Sequence, residues 1–278
     1  MPRLTRPFAT PVRSLVARLT IAGAAVLGVV AVHPAAAQSL VAQPLTRSAP
    51  VASAPPARPF APGERLTYDV RFGPIKAGTG SMEVRGVEAV RGRAAYHTVF
   101  SVKGGVPGFR VDDVFESWFA RDDLASLRFH KDQDEGPNER TSRYEIFPER
   151  RTYDDLRDDK GELPSTGAPL DDGSFLYYIR TVPLTVGQTY RFEQYFKPDR
   201  NPVTLRVLRR ERVTVPAGTF DAVVVQPSIK TNGIFSEGGR AEVWISDDDR
   251  RIIVQLKSRL KFGSLNLYLT SHEAGRAR

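Results

Sequence analysis

From residue 63 onward, apolar and polar positions alternate along most of the chain. Leu66, Tyr68, Val70 and Phe72 interleave with Thr67, Asp69 and Arg71, the period-two pattern that gives an extended strand one apolar face. The pattern returns at Met82–Val84 and Tyr96–Val102, with Gly73-Pro74, Gly78, Gly80 and Gly104-Gly105 between runs as bends or strand ends. Phe109, Val111, Phe115 and Phe119 share one parity, with Trp118 on the other. Leu124–His130 and Arg140–Phe147 read as a pair joined by a polar loop over Asp132–Asn138, and Arg151–Leu156 as an edge strand. The second half adds Thr189–Phe196, Val203–Val215, Thr219–Gln226, Arg240–Ser246, Arg251–Leu260 and Ser264–Thr270. Val223-Val224-Val225 is apolar at three successive positions, which places its strand in the middle of a sheet.

One stretch breaks the rhythm. Asp171-Asp172-Gly173-Ser174 precedes the compact apolar run Phe175–Ile179, and Pro183 follows. Cap-type residues before such a run predict a short helix, with Phe175, Tyr178 and Ile179 on one side at the i, i+3, i+4 spacing. About a dozen strands and one short helix make an all-β chain. The expected fold is one long, strongly curved antiparallel sheet, closed or nearly closed as a barrel and capped or plugged by the helix, because large open sheets twist and curl. Two packed sheets are the alternative.

The beginning of the chain is of another kind. Arg3, Arg6, Arg13 and Arg18 precede the 14-residue apolar run Leu19–Val32, and Ala35-Ala36-Ala37 follows. That is the layout of a secretory signal, so residues 1–37 are expected to be removed after Ala37, leaving a periplasmic or secreted protein with no integral span. The run is shorter than the roughly 20 residues of a membrane span. The alternative is an inner-membrane anchor at residues 19–32. Residues 38–62 hold six prolines among alanine and serine and read as a disordered linker, leaving a single β domain at 63–272.

Charge changes the picture once. The formal net charge of +8 contains the four leader arginines and no leader acid, so processing halves it to +4. The remaining charges are interspersed and no basic tract is interleaved with aromatics, which argues against nucleic acid as a partner. The absence of cysteine excludes disulfides, thiolate metal sites and a cysteine nucleophile.

Recognisable chemistry is sparse. His97, His130 and His272 lie in no metal-ligand spacing, and Asp132–Gly136 departs from a calcium loop at its fifth, sixth and twelfth positions. No G-x-S-x-G, S-x-x-K or phosphate-cradling glycine loop occurs. No cofactor, metal or catalytic residue is therefore expected. Trp118, Tyr177, Tyr178 and Trp244 are the candidate contacts for a ligand or partner, since aromatic side chains combine large apolar area with a polar handle.

The segments Ala61–Tyr68, Ile75–Gly78, Phe175–Arg180, Val215–Phe220 and Trp244–Asp248 follow one another in an order and spacing that resembles the exported bacterial family known as domain of unknown function 3108. The resemblance covers about 210 residues. It implies a β-rich protein of the Gram-negative envelope, with no established activity and no catalytic residues to carry over.

The functional expectation is a non-enzymatic envelope protein whose curved sheet shields an apolar ligand, such as a lipid, or a segment of an envelope protein. One alternative is a hydrolase of envelope polysaccharide using acids such as Asp113 and Glu116 near Trp118. The other is a structural module that docks on another envelope protein.

Overall fold

The computed structural model describes residues 57–230, 235, 240–260 and 263–276. The expected signal, the 19–32 run and most of the expected linker lie outside the described residues. Among the described residues no helix is long and apolar enough to cross a membrane.

One fourteen-stranded sheet carries the fold. The first half is a meander of β1 (Arg65–Phe72), β2 (Ile75–Val90), β3 (Arg93–Val106), β4 (Phe109–Ala120), β5 (Ser126–Glu135), β6 (Asn138–Phe147), β7 (Thr152–Asp155) and β8 (Leu163–Pro164). Helix α1 (Asp172–Tyr178) follows. The second half comprises β9 (Thr189–Phe192), β10 (Val203–Val215), β11 (Gly218–Ser228), β12 (Glu242–Ser246), β13 (Ile253–Leu260) and β14 (Gly263–Glu273). Every named strand pair is antiparallel, and β1 joins the two meanders by pairing with both β2 and β14. The spatial order therefore runs from β8 down to β1, then from β14 down to β9.

The single antiparallel sheet with one short helix is as expected, and the two-sheet alternative is not what forms. Closure is a different matter, because no ladder joins β8 to β9. The segments just beyond these edge strands meet through one isolated parallel bridge, Leu170 with Tyr195. Ser165 Oγ also donates to the Phe196 carbonyl at 2.7 Å.

Several local expectations need correction. The polar stretch Asp132–Asn138 is strand up to a Gly136-Pro137 turn, because its polar residues pair across strands, as in Asp132 with Thr141 and Gln133 with Arg140. Gly78, Gly80 and Gly104 lie within strands β2 and β3. The strand expected over Thr189–Phe196 stops at Phe192, four residues before its expected end. The Val223–Val225 run is buried on both faces, yet β11 lies third from the β9 edge. On the second face Val224 lies directly beside the large, buried Trp244 of the next strand. The folded region also begins earlier than residue 63. Phe60 is buried and packs edge-on against Tyr96 and Tyr177, while Arg58 donates to the Asp122 carbonyl. An aromatic ring supplies the burial that the surrounding prolines and alanines lack.

Helix α1 sits on one face of the sheet, here called the inner face. Asp171 caps it, accepting from the amides of Gly173 and Ser174, and Ser174 reciprocates to the Asp171 amide. The Asp171 carboxylate also accepts from Ser117 on β4 and Ser126 on β5, both at 2.7 Å, so the cap fastens the helix to the sheet. A seven-residue helix rich in aromatics has little intrinsic stability and depends on such packing. Phe175, Leu176, Tyr177 and Ile179 are all buried, so the helix is enclosed on more sides than the spacing of Phe175, Tyr178 and Ile179 implied.

Its C-terminal end is bolted by Arg180, which is wholly buried. The guanidinium binds Glu64 in bidentate fashion at 2.7 and 2.8 Å and donates to the carbonyls of Arg251, Pro59 and Arg250. This geometry supplies the hydrogen bonds that a desolvated ion pair requires. The remaining inner face is filled by Tyr68, Phe119, Phe129, Phe196, Leu205 and Ile229, each under 2% exposed. Lys197 closes the aromatic group at the β6–β7 end, donating to the Tyr144 hydroxyl at 3.0 Å and lying over the rings of Tyr144, Tyr153 and Phe196.

Candidate functional site

Both tryptophans lie on the sheet face opposite the buried parity of their own strands. On β12, Val243 and Ile245 point into the core, so Glu242 and Trp244 point outward. Register then builds two adjacent rows, Glu242–Lys257–Asn266 and Trp244–Gln255–Tyr268, across β12, β13 and β14. A bulge between Val207 and Arg209 completes the site. Continued alternation from Val203, Leu205 and Val207 would send Arg209 inward, whereas the bulge sets it opposite Val224, the neighbour of Trp244.

The result is an open groove of about 510 Å³ on the outer face, lined by Arg209, Glu211, Glu242, Trp244, Lys257 and Tyr268 among others. Arg209 binds Glu211 at 2.8 Å and Glu242 at 2.9 Å. The Trp244 indole N–H donates to Glu211 at 2.5 Å. These bonds, that of Arg209 foremost, hold the Glu211 carboxyl below the usual range, and the two glutamates raise the Arg209 pKa. Lys257 has no carboxylate partner among the described residues. Its ammonium lies 5.2 Å from the centre of the Trp244 ring and 5.8 Å from that of Tyr268. Asn266 donates to Ser264 at 3.3 Å on the same wall. The groove thus offers fixed charges of both signs, amide and hydroxyl groups and aromatic edges, which suits a polar, charged ligand or partner surface.

Trp118 is held in a parallel way elsewhere on the outer face. Its indole N–H donates to Glu88 at 2.9 Å, His97 Nδ1 lies 2.8 Å from the other oxygen of that carboxylate, and the His97 ring stacks on Trp118. His130 meets the Trp118 ring edge-on. The Trp118 hydrogen bond is the main reason the Glu88 carboxyl sits below its usual range.

The four expected contact residues are not brought together. Trp118 and Trp244 occupy separate clusters and are largely covered, at 7% and 4% exposure. Tyr177 is in the core against Phe60 and Phe119, and Tyr178 is half-buried against Phe192. Of the four, Trp244 alone lines the groove. Sequence reasoning missed Arg209, Glu211, Glu242, Lys257 and Tyr268. Their charges and rings are visible in the sequence, but the bulge and register that assemble them are not.

The acid pair Asp113 and Glu116 is separated by the sheet. Three residues apart on one strand, they face opposite sides: Glu116 pairs outward with Arg85, while Asp113 accepts from the Asp134 amide on the inner side. Burial, reinforced by Glu135, pushes the Asp113 carboxyl up to about 6. Between about pH 4 and pH 6 the folded chain retains a proton there that the unfolded chain has released, so this site makes stability fall as pH rises through that window. Asp113→Asn is expected to match the parent near pH 4 and to exceed it by about 1–2 kcal/mol at pH 7, allowing for partial hydration. Urea titrations at both pH values check this, and carboxyl NMR should place the Asp113 midpoint near 6.

Comparison with known proteins places the fold. A crystal structure of a β-barrel-like protein of domain of unknown function 1849 from Brucella abortus aligns with a TM-score of 0.51 at 10% identity, covering 78% of this chain and 99% of that one. A candidate lipoprotein from Parabacteroides distasonis aligns over 78% of this chain and 98% of its own, at 14% identity and a TM-score of 0.35. No curated protein matches. The family model for the proteins of unknown function grouped as DUF3108 matches residues 67–270, and the chain belongs to that family.

Proposed function

We propose that the chain is an exported protein of the bacterial cell envelope, processed after Ala37, that acts without catalysis by binding a partner on the outer face of its sheet. The observation that carries this reading is the occupancy of the inner face. A carrier of an apolar ligand needs room there, and α1 with Phe119, Phe129, Phe196 and the Arg180–Glu64 pair takes that room. The outer groove is open by contrast. The near approach of the two sheet edges through Leu170 and Tyr195 supports a barrel-like scaffold that presents this groove on a stiff surface.

Hydrolysis of polysaccharide fits less well. The Asp113–Glu116 pair is split across the sheet, and in the groove Arg209 binds both Glu211 and Glu242. Glu211 is held ionised, so it is unsuited to serve as the proton donor that glycoside cleavage requires.

Native mass spectrometry of the protein purified from its envelope without detergent, with parallel lipid extraction, tests the reading. The expected result is the bare mass of the processed chain. A stoichiometric lipid adduct would return the apolar-carrier reading to first place.

A further inference from the structure

Three hairpins of the first meander, β1–β2, β3–β4 and β5–β6, end side by side at one end of the sheet. Their tips carry Ile75, Pro107-Gly108-Phe109 and Gly136-Pro137, and Ile75 and Phe109 are two of the five large apolar side chains exposed on the described surface, at 57% and 46%. The tips are locked to one another. The Phe109 ring rests on Gly136, where an added Cβ would stand 2.8 Å from it. The backbones of Gly78 and Gly104 approach so closely that a Cβ on Gly78 would meet the Lys103 carbonyl at 2.1 Å.

Charge at this end is layered. Lys76 pairs with Asp69, Lys103 with Asp112 and Arg110 with Asp134, and in each pair the cation is the outer partner. The cations are 60%, 75% and 68% exposed, against 15%, 27% and 25% for the acids. In these three pairs the outermost charge is therefore positive, with two apolar side chains protruding beside them, and exposed Glu139 near the third tip is matched by exposed Arg140.

We propose that these hairpin ends dock on an anionic lipid bilayer. Ile75 and Phe109 enter the boundary between headgroups and acyl chains, while Lys76, Lys103 and Arg110 meet the phosphates. A protein partner fits this surface poorly, since the cores of protein interfaces are depleted of lysine and here each apolar tip is flanked by cations.

The absence of native cysteine permits single-site labels on the full chain. Ile75→Cys would carry an environment-sensitive fluorophore. Asp249→Cys, in the turn between β12 and β13 at the opposite end of the sheet, would serve as control. With vesicles of phosphatidylethanolamine and phosphatidylglycerol, the label at 75 is expected to shift to the blue and brighten, and the label at 249 to stay unchanged. The triple variant Lys76→Gln, Lys103→Gln, Arg110→Gln should reduce the apparent partition at position 75 about a hundredfold, at about tenfold or less per cation. Its far-ultraviolet circular dichroism should match the parent's, because all three replaced side chains lie at the surface and their loss removes ion pairs but no core packing. No response at position 75, equal responses at both positions, or a neutralised triple variant that still partitions like the parent would each overturn the proposal.

Discussion

Arg180→Ala is expected to lower the unfolding free energy by about 3–5 kcal/mol, since it leaves the buried Glu64 carboxylate without its counter-ion. The carbonyls of Pro59, Arg250 and Arg251 lose donors in the same step. Arg180→Lys should recover little of this, because a point ammonium cannot bind both Glu64 oxygens while reaching three carbonyls on two other segments. The guanidinium also lies over the rings of Phe60 and Tyr177, so the residue joins the chain entry, the helix end and the β12–β13 turn. Urea unfolding monitored by tryptophan fluorescence checks the prediction. A loss under about 1 kcal/mol would mean that Glu64 finds another partner, with His272 Nε2, 3.5 Å away, the first to consider.

The second large effect is expected at Asp171. Replacement by alanine removes a helix cap worth about 1 kcal/mol and takes the carboxylate from the buried Ser117 hydroxyl, while Ser126 keeps Ser174 Oγ and the residue-171 amide, for a combined loss of about 2–3 kcal/mol. Asp171→Asn keeps an acceptor for the helix amides and should cost roughly half as much. Burial pushes the Asp171 carboxyl up to about 6, so its charge is carried at a cost above that pH. The deficit of both variants against the parent should accordingly be smaller at pH 7.5 than at pH 5, by a similar amount for each, because neither replacement titrates. Chemical unfolding of the two variants at pH 5 and pH 7.5 measures this. A helix that loosens from β4 and β5 should also expose Phe175 and Tyr177, detectable as a loss of near-ultraviolet circular dichroism.

The alternation of side chains carried most of the fold because a strand with one buried face must repeat every two residues. The helix announced itself through Asp171 and Ser174, which satisfy amides that no strand would leave open. What the pattern could not give was register. Asp132–Asn138 looked like a loop because none of its residues is apolar, although cross-strand polar pairs hold it extended. Phe60 was lost among prolines for the opposite reason, one ring in an unpromising segment finding a pocket made by residues 36 to 117 positions away.

The groove shows the same limit. Trp244 stood out as a large aromatic residue on a strand, but its partners come from β10, β13 and β14, and a single bulge decides whether Arg209 faces them. The separation of Asp113 from Glu116, by contrast, is legible in the sequence itself, because an odd spacing along one strand puts two side chains on opposite faces. Arg180 gave no such signal. A lone arginine after an aromatic helix reads as solvated until Glu64, 116 residues earlier, is placed against it.

The central claim is that the protein fills its own interior and binds on the outside. Titration of the purified chain with a fluorescent fatty acid tests it most directly. Weak, unsaturable binding that oleate does not displace is the predicted result. Saturable one-to-one binding, competed by oleate and abolished by Leu205→Trp within the core, would contradict it.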